Sequence, residues 1–462
     1  MSVPFMSTPN PIAAISNLLG SLRPFMSPPE PIAAIGTLLG SMARVAREQW
    51  LSPEELAARR RVRLRQVLAR AAETRYYGAV LRDAGLADLG KFEPSDLMRL
   101  PMLDRQVMTR HGLDAFLTVD RSDLVAVHTS GSTGTPGRFL RSKAEETDYS
   151  ARWWRVYQAY GCGMLDSQIC VAILDKPDRA GPIAYLRRMG ILPRTQRVAS
   201  DAPPAQVLAR FQALNPPVLN GYAGALEALA DHILTTGAKV QPPRAVFCTA
   251  MEVTDRCLKL VEQAFHAPAV DVYVTNEFGV IAWSCPKNRD VLHVNDDSFV
   301  VEVLAPDGSP APAGQVGELV ITGLGLTSMP LIRYRMGDMA ARLEGTCACG
   351  RGLGLLSRVQ GRTAHAIRRA DGSLITTPFI TSLFGRVDAH EWVRRFQVRE
   401  ESGRRLRFLL DIRRQPAAAE RLRLQNSVVT ALGRDFQIDL EFVDNIPNAP
   451  TGKLQYVVPL AS

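Results

Sequence analysis

Residues 128–139 read HTSGSTGTPGRF, with three Gly, two Ser and three Thr in twelve positions. Successive backbone N–H groups in a Gly-rich turn can wrap phosphate oxygens, and glycine lets the main chain come close. The hydroxyls of Thr129, Ser130, Ser132 and Thr133 add uncharged donors around Gly131 and Gly134. The stretch lacks the Gly-Lys-Ser/Thr ending of a Walker A loop and is not a G-x-S-x-G elbow. By itself, such a run is more often a solvated loop. Other residues give it company. VYVTNEFG sets Glu277 just after a strand, beside Tyr273 and Asn276. A carboxylate there suits magnesium, which prefers carboxylate and phosphate oxygens; the plainer reading is an acid at a helix N-terminus. LIRYRMGD ends in Asp338, which can accept two hydrogen bonds from the vicinal hydroxyls of a ribose, or simply close a turn after Gly337. Gly361-Arg362 offers a further polar contact at a domain junction. IPNAPTGKLQ carries Lys453 on a Pro- and Gly-rich loop. A mobile lysine can neutralise charge developing at a phosphoryl centre, although a lone lysine here is otherwise a solvated one.

A second constellation is of a different kind. CPKNRDVLH supplies Cys285 and His293, and CACG supplies Cys347 and Cys349. Three thiolates and an imidazole make a closed tetrahedral structural zinc site. The spacing is not that of a zinc finger, and buried free cysteines are the alternative. The other cysteines, Cys162, Cys170, Cys248 and Cys257, read as core residues. Seven cysteines spread through 462 residues do not form a disulfide scaffold, so a reducing cytoplasm is expected.

These residues need elements to hold them. The chain is 46% hydrophobic and 22% charged, and too long for one core. LVAVHTS reads as a buried strand entering the Gly-rich loop. From 144 to 270, helical patterns alternate with short apolar runs such as QICVAIL and AVFCTA, which predicts α/β layers with largely parallel sheets. From 300 to 356 the sequence turns β-rich, with APDGSPAPAG as a hairpin-like turn. Beyond Gly361 a smaller α+β unit begins, with a helix over 417–432. At the other end, PFMSTPNPIAAISNLLGSL from Pro4 returns as PFMSPPEPIAAIGTLLGSM from Pro24. Two copies are too few for a solenoid. They read as a recent duplication, a start codon placed too early, or short apolar helices lying on a surface or membrane. Order is expected from Ser52, an N-cap with Glu55 completing a capping box. The expected units are 1–51, a duplicated extension; 52–361, the large domain; and 362–462, a small lid domain.

In this order, YYGAVLRDAGL, LMRLPMLDR, TSGSTGTPGRF, LNGYAGALEAL, YVTNEFG, PLIRYRMGD, GR and PTGKLQ resemble the adenylate-forming superfamily, and within it the phenylacetate–CoA ligase-like branch. The resemblance runs from Ser52 onward. It implies a large domain of layered sheets and helices with a β-rich subdomain and a mobile C-terminal domain. It also implies a two-step reaction: a carboxylate attacks the α-phosphate of ATP, and a thiol then displaces AMP. Carried over by position, 129–134 would hold phosphates, Glu277 magnesium and catalysis, Tyr273 and Asn276 the nucleotide, Asp338 the ribose, Arg362 a nucleotide contact, and Lys453 the first half-reaction. Similarly placed Cys and His in this branch can bind zinc. The chain departs from the pattern at Thr135-Pro136-Gly137, at Val274 and Asn276, and at Ala364 and His365 beyond the junction.

The resulting expectation is an ATP-dependent acid–thiol ligase acting on an aromatic acid, with Tyr222, Tyr273 and TAME among the pocket walls. Coenzyme A or an acyl carrier protein would be the acceptor. The +9 charge suits polyanionic partners, though no basic arm with interleaved aromatics suggests nucleic acid. RRRVRLR at 59–65 reads as a solvated helix face. No apolar run spans a membrane, and residues 1–22 lack a basic start for a signal peptide. Transfer to an amine or hydroxyl, a catalytically degenerate nucleotide-binding homologue, and homodimerisation stay open.

Overall fold

The computed structural model describes residues 29–86, 88–128, 137–174, 186–187, 192–193, 195–362, 366–370, 374–447 and 454–460. Helix α1 spans Pro29–Glu48. Ile35, Leu38, Met42 and Val45 recur on one face and are buried. Helix α2 (Pro53–Ala72) starts at the expected Ser52, whose hydroxyl accepts from the Glu55 N–H while Glu55 reaches back, a capping box. Order therefore begins before Ser52. The described part of the second copy, from Pro29, packs against α5 through its apolar face; the first copy lies outside the described residues. The arginines of 59–65 are ion-paired rather than merely solvated. Arg59 and Arg63 meet Glu48, Arg60 meets Asp296, and Arg61 and Arg65 meet Glu93.

Helices α3 (Arg75–Asp83) and α4 (Arg105–His111) follow. Strands β1 (Val125–His128) and β2 (Arg138–Arg141) pair antiparallel as a separate ribbon on either side of 129–136. Residues 124–127 are thus half-buried, and β1 belongs to a ribbon rather than to the main sheet. Helix α5 (Lys143–Ala159) carries Ala151 and Trp154, against which α1 packs.

The main sheet has eleven strands among the described residues. Its parallel part is β3 (Gln168–Ala172), β4 (Thr195–Ala199), β5 (Val218–Tyr222), β6 (Ala245–Thr249) and β7 (Ala269–Thr275). Helices α6 (Pro204–Leu214), α7 (Ala223–Thr236) and α8 (Asp255–Phe265) cross between these strands, as the alternating pattern predicted. An antiparallel part continues through β8 (Gly279–Cys285), β9 (Asn288–Val294), β10 (Phe299–Leu304), β11 (Val316–Gly323), β12 (Tyr334–Leu343) and β13 (Leu355–Ser357). The order across the sheet is β10-β11-β12-β13-β9-β8-β7-β6-β5-β3-β4. Strand β7 therefore lies where parallel pairing gives way to antiparallel, between β6 and β8.

The smaller unit opens with the β14 (Ile367–Arg368) and β15 (Leu374–Ile375) pair and helix α9 (Thr377–Gly385). Strands β16 (Val393–Ser402) and β17 (Arg405–Ile412), helix α10 (Ala418–Leu432), β18 (Gln437–Val443) and β19 (Val457–Val458) complete it. Its sheet runs β18-β17-β16-β19 and closes a separate core around Ile380, Leu383, Val398, Phe408, Val428 and Leu432. Separate cores give the α/β large unit and the smaller α+β unit that the sequence suggests.

Candidate active site

The end of β7 and its turn into β8 carry the first group of side chains. The Thr275 hydroxyl accepts from the Phe278 N–H at 3.2 Å, closing the turn around Asn276 and Glu277. Glu277 follows a strand, as the sequence suggests, but leads into a second strand rather than a helix. Its carboxylate is only 6% exposed. Arg105 holds it, donating from Nη2 to Oε1 at 3.2 Å, and also donates to the Tyr334 phenol. Arg105 is placed by Leu103, which pairs with β12: the Leu103 N–H donates to the Arg333 carbonyl at 2.9 Å, and its carbonyl accepts from the Arg335 N–H at 2.8 Å. Sequence reading gave Arg105 no role, although it ends the LMRLPMLDR stretch.

The second group surrounds Asp338. Tyr273 donates its phenol to Oδ2 at 2.7 Å, and Arg362 donates Nε to Oδ1 at 3.0 Å. Asp338 and Arg362 also face each other as an isolated antiparallel bridge. Burial, and then the Asp338 carboxylate, hold the Tyr273 phenol well above its usual range, so it stays a donor. Asp338 likewise raises Arg362. An ionised carboxylate has about four lone-pair directions. Two serve Tyr273 and Arg362, and two are left for a diol. Residues far apart in sequence thus meet at the junction of the two units.

A cleft of about 1950 Å³ opens between the units, with Tyr222, Met251 and Glu252 on one wall and Phe384 and Tyr456 on the other. TAME bends sharply: Ala250 has φ 65°, a left-handed conformation that costs a non-glycine residue about 1 kcal/mol. Gly361 has φ +83°, and a Cβ there would sit 3.1 Å from Glu252 Oε2, so the junction backbone closes directly over that carboxyl. Burial pushes the Glu252 carboxyl up to about 8 and that of Asp271, on β7, up to about 7. Residues 129–134 and Lys453 lie outside the described residues.

The cysteine and histidine constellation converges elsewhere. Cys285 ends β8, His293 lies on β9, and Cys347 and Cys349 sit in the loop before β13. Their four donor atoms lie within 4.8 Å of one another. Cys285 Sγ and Cys347 Sγ are 3.4 Å apart, and Cys349 Sγ and His293 Nε2 are 3.2 Å apart. Bonds of about 2.0–2.3 Å to a tetrahedral zinc put its donors roughly 3.3–3.8 Å apart, close to these two separations, and three thiols with one imidazole would leave no open position for substrate. Among the described residues no helix is long and apolar enough to cross a membrane.

Residues 367–459 match the family described as the CapK C-terminal domain. The chain is 26% identical over 332 residues to the phenylacetate–coenzyme A ligase of Thermus thermophilus, covering 68% of this chain and 72% of that protein. It is 21% identical over 392 residues to protein CapK of Staphylococcus aureus, covering 83% and 84%. Among solved structures, a 2-hydroxyisobutyryl-CoA ligase in the postadenylation state, bound to an acyl-AMP, shares the fold with a TM-score of 0.73 at 20% identity, over 90% of this chain and 91% of that one.

Proposed function

We propose, from the chain's place among the phenylacetate–CoA ligase-like proteins of the adenylate-forming superfamily, that it is an ATP-dependent ligase joining a carboxylic acid to a thiol through an acyl-adenylate. The observation that carries this reading is the Tyr273–Asp338–Arg362 arrangement at the junction of the two units, with Glu277 in the turn that follows strand β7. It supports a nucleotide whose ribose diol rests on Asp338, beside Arg362. Glu277 would hold magnesium, which would screen the phosphate charge. Arg105, which now occupies that carboxylate, would give way or turn toward the phosphates.

In the first step a substrate carboxylate oxygen attacks the α-phosphorus, and the bond to pyrophosphate breaks. In the second, a thiolate attacks the acyl carbon, and AMP leaves. No covalent bond to the protein is needed, so positioning and charge stabilisation supply the rate. The backbone of 129–134 would hold phosphates in the first step, Asn276 would contact the nucleotide, and Lys453 would place its ammonium near the reacting phosphate. Tyr222 and Met251 on the cleft wall suit an aromatic acid, whereas Tyr273 is buried behind it and gives its phenol to Asp338. Coenzyme A is the proposed acceptor, with a carrier protein as the alternative thiol. Cys285, His293, Cys347 and Cys349 would hold a structural zinc.

The test is acid-dependent ATP–pyrophosphate exchange without thiol, over phenylacetate, benzoates, 2-hydroxyisobutyrate and straight-chain acids. Exchange with an aromatic acid is expected, followed by thioester on adding coenzyme A. Exchange only with an aliphatic acid removes the aromatic assignment. Adenylate that reacts only with an amine or hydroxyl removes the thiol. No exchange from folded, ATP-binding protein points to a degenerate homologue.

A further inference from the structure

The turn that carries Glu277 rests on two buried arginines. Arg141, the last residue of β2, donates from Nη2 to the Glu277 carbonyl at 2.6 Å and to the Asn276 carbonyl, while Nη1 pairs with Glu146 Oε1 at 2.9 Å. Arg152, on α5, donates from Nη2 to the Phe278 carbonyl at 2.9 Å and pairs through Nη1 with Asp148 Oδ2 at 2.9 Å. Three consecutive carbonyls, 276 to 278, are thus each held by a guanidinium. The side chains of Arg141, Glu146 and Arg152 are only 3%, 4% and 6% exposed. A turn between strands normally gives its carbonyls to water. Burying two cations, and the acids that balance them, to hold neutral oxygens is an expensive way to stabilise a loop. It is an effective way to fix one, because the planar fork of arginine binds in two directions at once.

The surroundings tighten the same turn. Gly279 follows it with φ +82°, and a Cβ there would lie 2.2 Å from Tyr149 Cδ2, so the chain presses directly onto α5. Both balancing acids, Glu146 and Asp148, are on α5. Asp148 also accepts from Arg44 of α1 at 2.5 Å, and Arg44 reaches Asp297 at 3.2 Å. Arg141 belongs to the strand that returns from 129–136. It therefore ties the far side of the Gly-rich stretch to the turn bearing Glu277.

We propose that Arg141 and Arg152 are positioning residues that lock the 276–278 backbone and so present the Glu277 carboxylate in a fixed place for the adenylation step. The role of Glu277 rests on the function proposed above; the locking of the turn does not. The test compares the wild type with Arg141→Met/Glu146→Gln, which removes the ion pair without leaving a bare buried carboxylate, and with Arg141→Lys. Hydrogen exchange of amides 276–280 is expected to quicken by about tenfold in the folded double variant, with β3 to β6 unchanged. Its kcat for pyrophosphate exchange is expected to fall by about tenfold, with the KM for the acid within about twofold, since a small misplacement of a reacting group costs rate rather than binding. Arg141→Lys should recover part of both. A folded double variant with unchanged amide exchange overturns the proposal, and so does faster amide exchange with unchanged kcat. If the wild type shows no acid-dependent exchange, the ligase reading fails, and the amide exchange alone decides the lock.

Discussion

Asp338 accepts from Tyr273 and Arg362 and still has lone pairs to offer, whereas Glu277 keeps a carboxylate almost wholly out of water against one guanidinium. Under the proposed function, Asp338 would recognise the nucleotide and Glu277 would take part in the chemistry. Glu277→Gln keeps the shape and loses the charge. Its kcat for acid-dependent pyrophosphate exchange should drop by about a hundredfold, the scale of losing one preorganised electrostatic contact. A drop of less than threefold would remove Glu277 from the chemistry. Asp271 makes a pH prediction. Burial raises its carboxyl to about 7 in the fold, against about 3.9 in an unfolded chain. Between those values the unfolded chain has shed a proton that the folded one retains. Stability is therefore lost as pH rises through that window, and the loss is complete above about 7. Asp271→Asn should raise Tm at pH 8 more than at pH 4.5. An equal shift at both would show that the carboxyl ionises freely in the fold.

The helices and strands show how neighbours determine what a pattern becomes. The apolar face of α1 could serve a membrane surface or a protein groove equally well. Trp154 and Ala151 of α5 decide for the groove, and Arg155 locks it by donating to the Val45 carbonyl and pairing with Asp297 at 2.7 Å. Leu38 is 1% exposed in that contact. Leu38→Ala should cost about 2–5 kcal/mol of stability, read by urea unfolding, because the cavity it leaves cannot fully collapse. A loss below 0.5 kcal/mol would mean that the helix does not dock in solution. The Cys347–Cys349 loop is joined to the same N-terminal region. Arg351 packs across Trp50 and Trp283, and its Nε donates to Gln49.

For the molecule as a whole, two cores meet at a polar cleft. Arg413 pairs with Asp231 across it, and Arg256 donates to the carbonyls of His390 and Val393. Such contacts exchange readily with water, which would suit a small unit moving between the two half-reactions proposed above. Rigidity in the large unit would come in part from the four-ligand cluster. Protein prepared in zinc-containing medium should carry about one zinc per chain by elemental analysis, and Cys349→Ser should lose it and unfold at a lower temperature, since a bound structural metal adds its binding energy to folding. Metal-free protein with an unchanged Tm would leave the cluster as packed thiols.

The sequence by itself determined the local elements and the cast of polar residues. The Ser52 capping box, the alternation of helix and strand before Val270, the strand ahead of Glu277 and the helix ending at Leu432 all follow from periodicity and caps, which act over a few residues. The ordered motifs also anticipated the α/β architecture. Only the tertiary structure decided which residues meet. Tyr273, Asp338 and Arg362 converge because β7 and β12 share a sheet and the chain leaves it at the junction. Arg105 reaches Glu277 because Leu103 pairs with β12, and Arg141 and Arg152 face the Glu277 turn because α5 packs beneath β8. An arginine has the same type whether it is solvated or captures a carbonyl. The distinction lies in burial and in partners distant along the chain, and neither is written in local spacing.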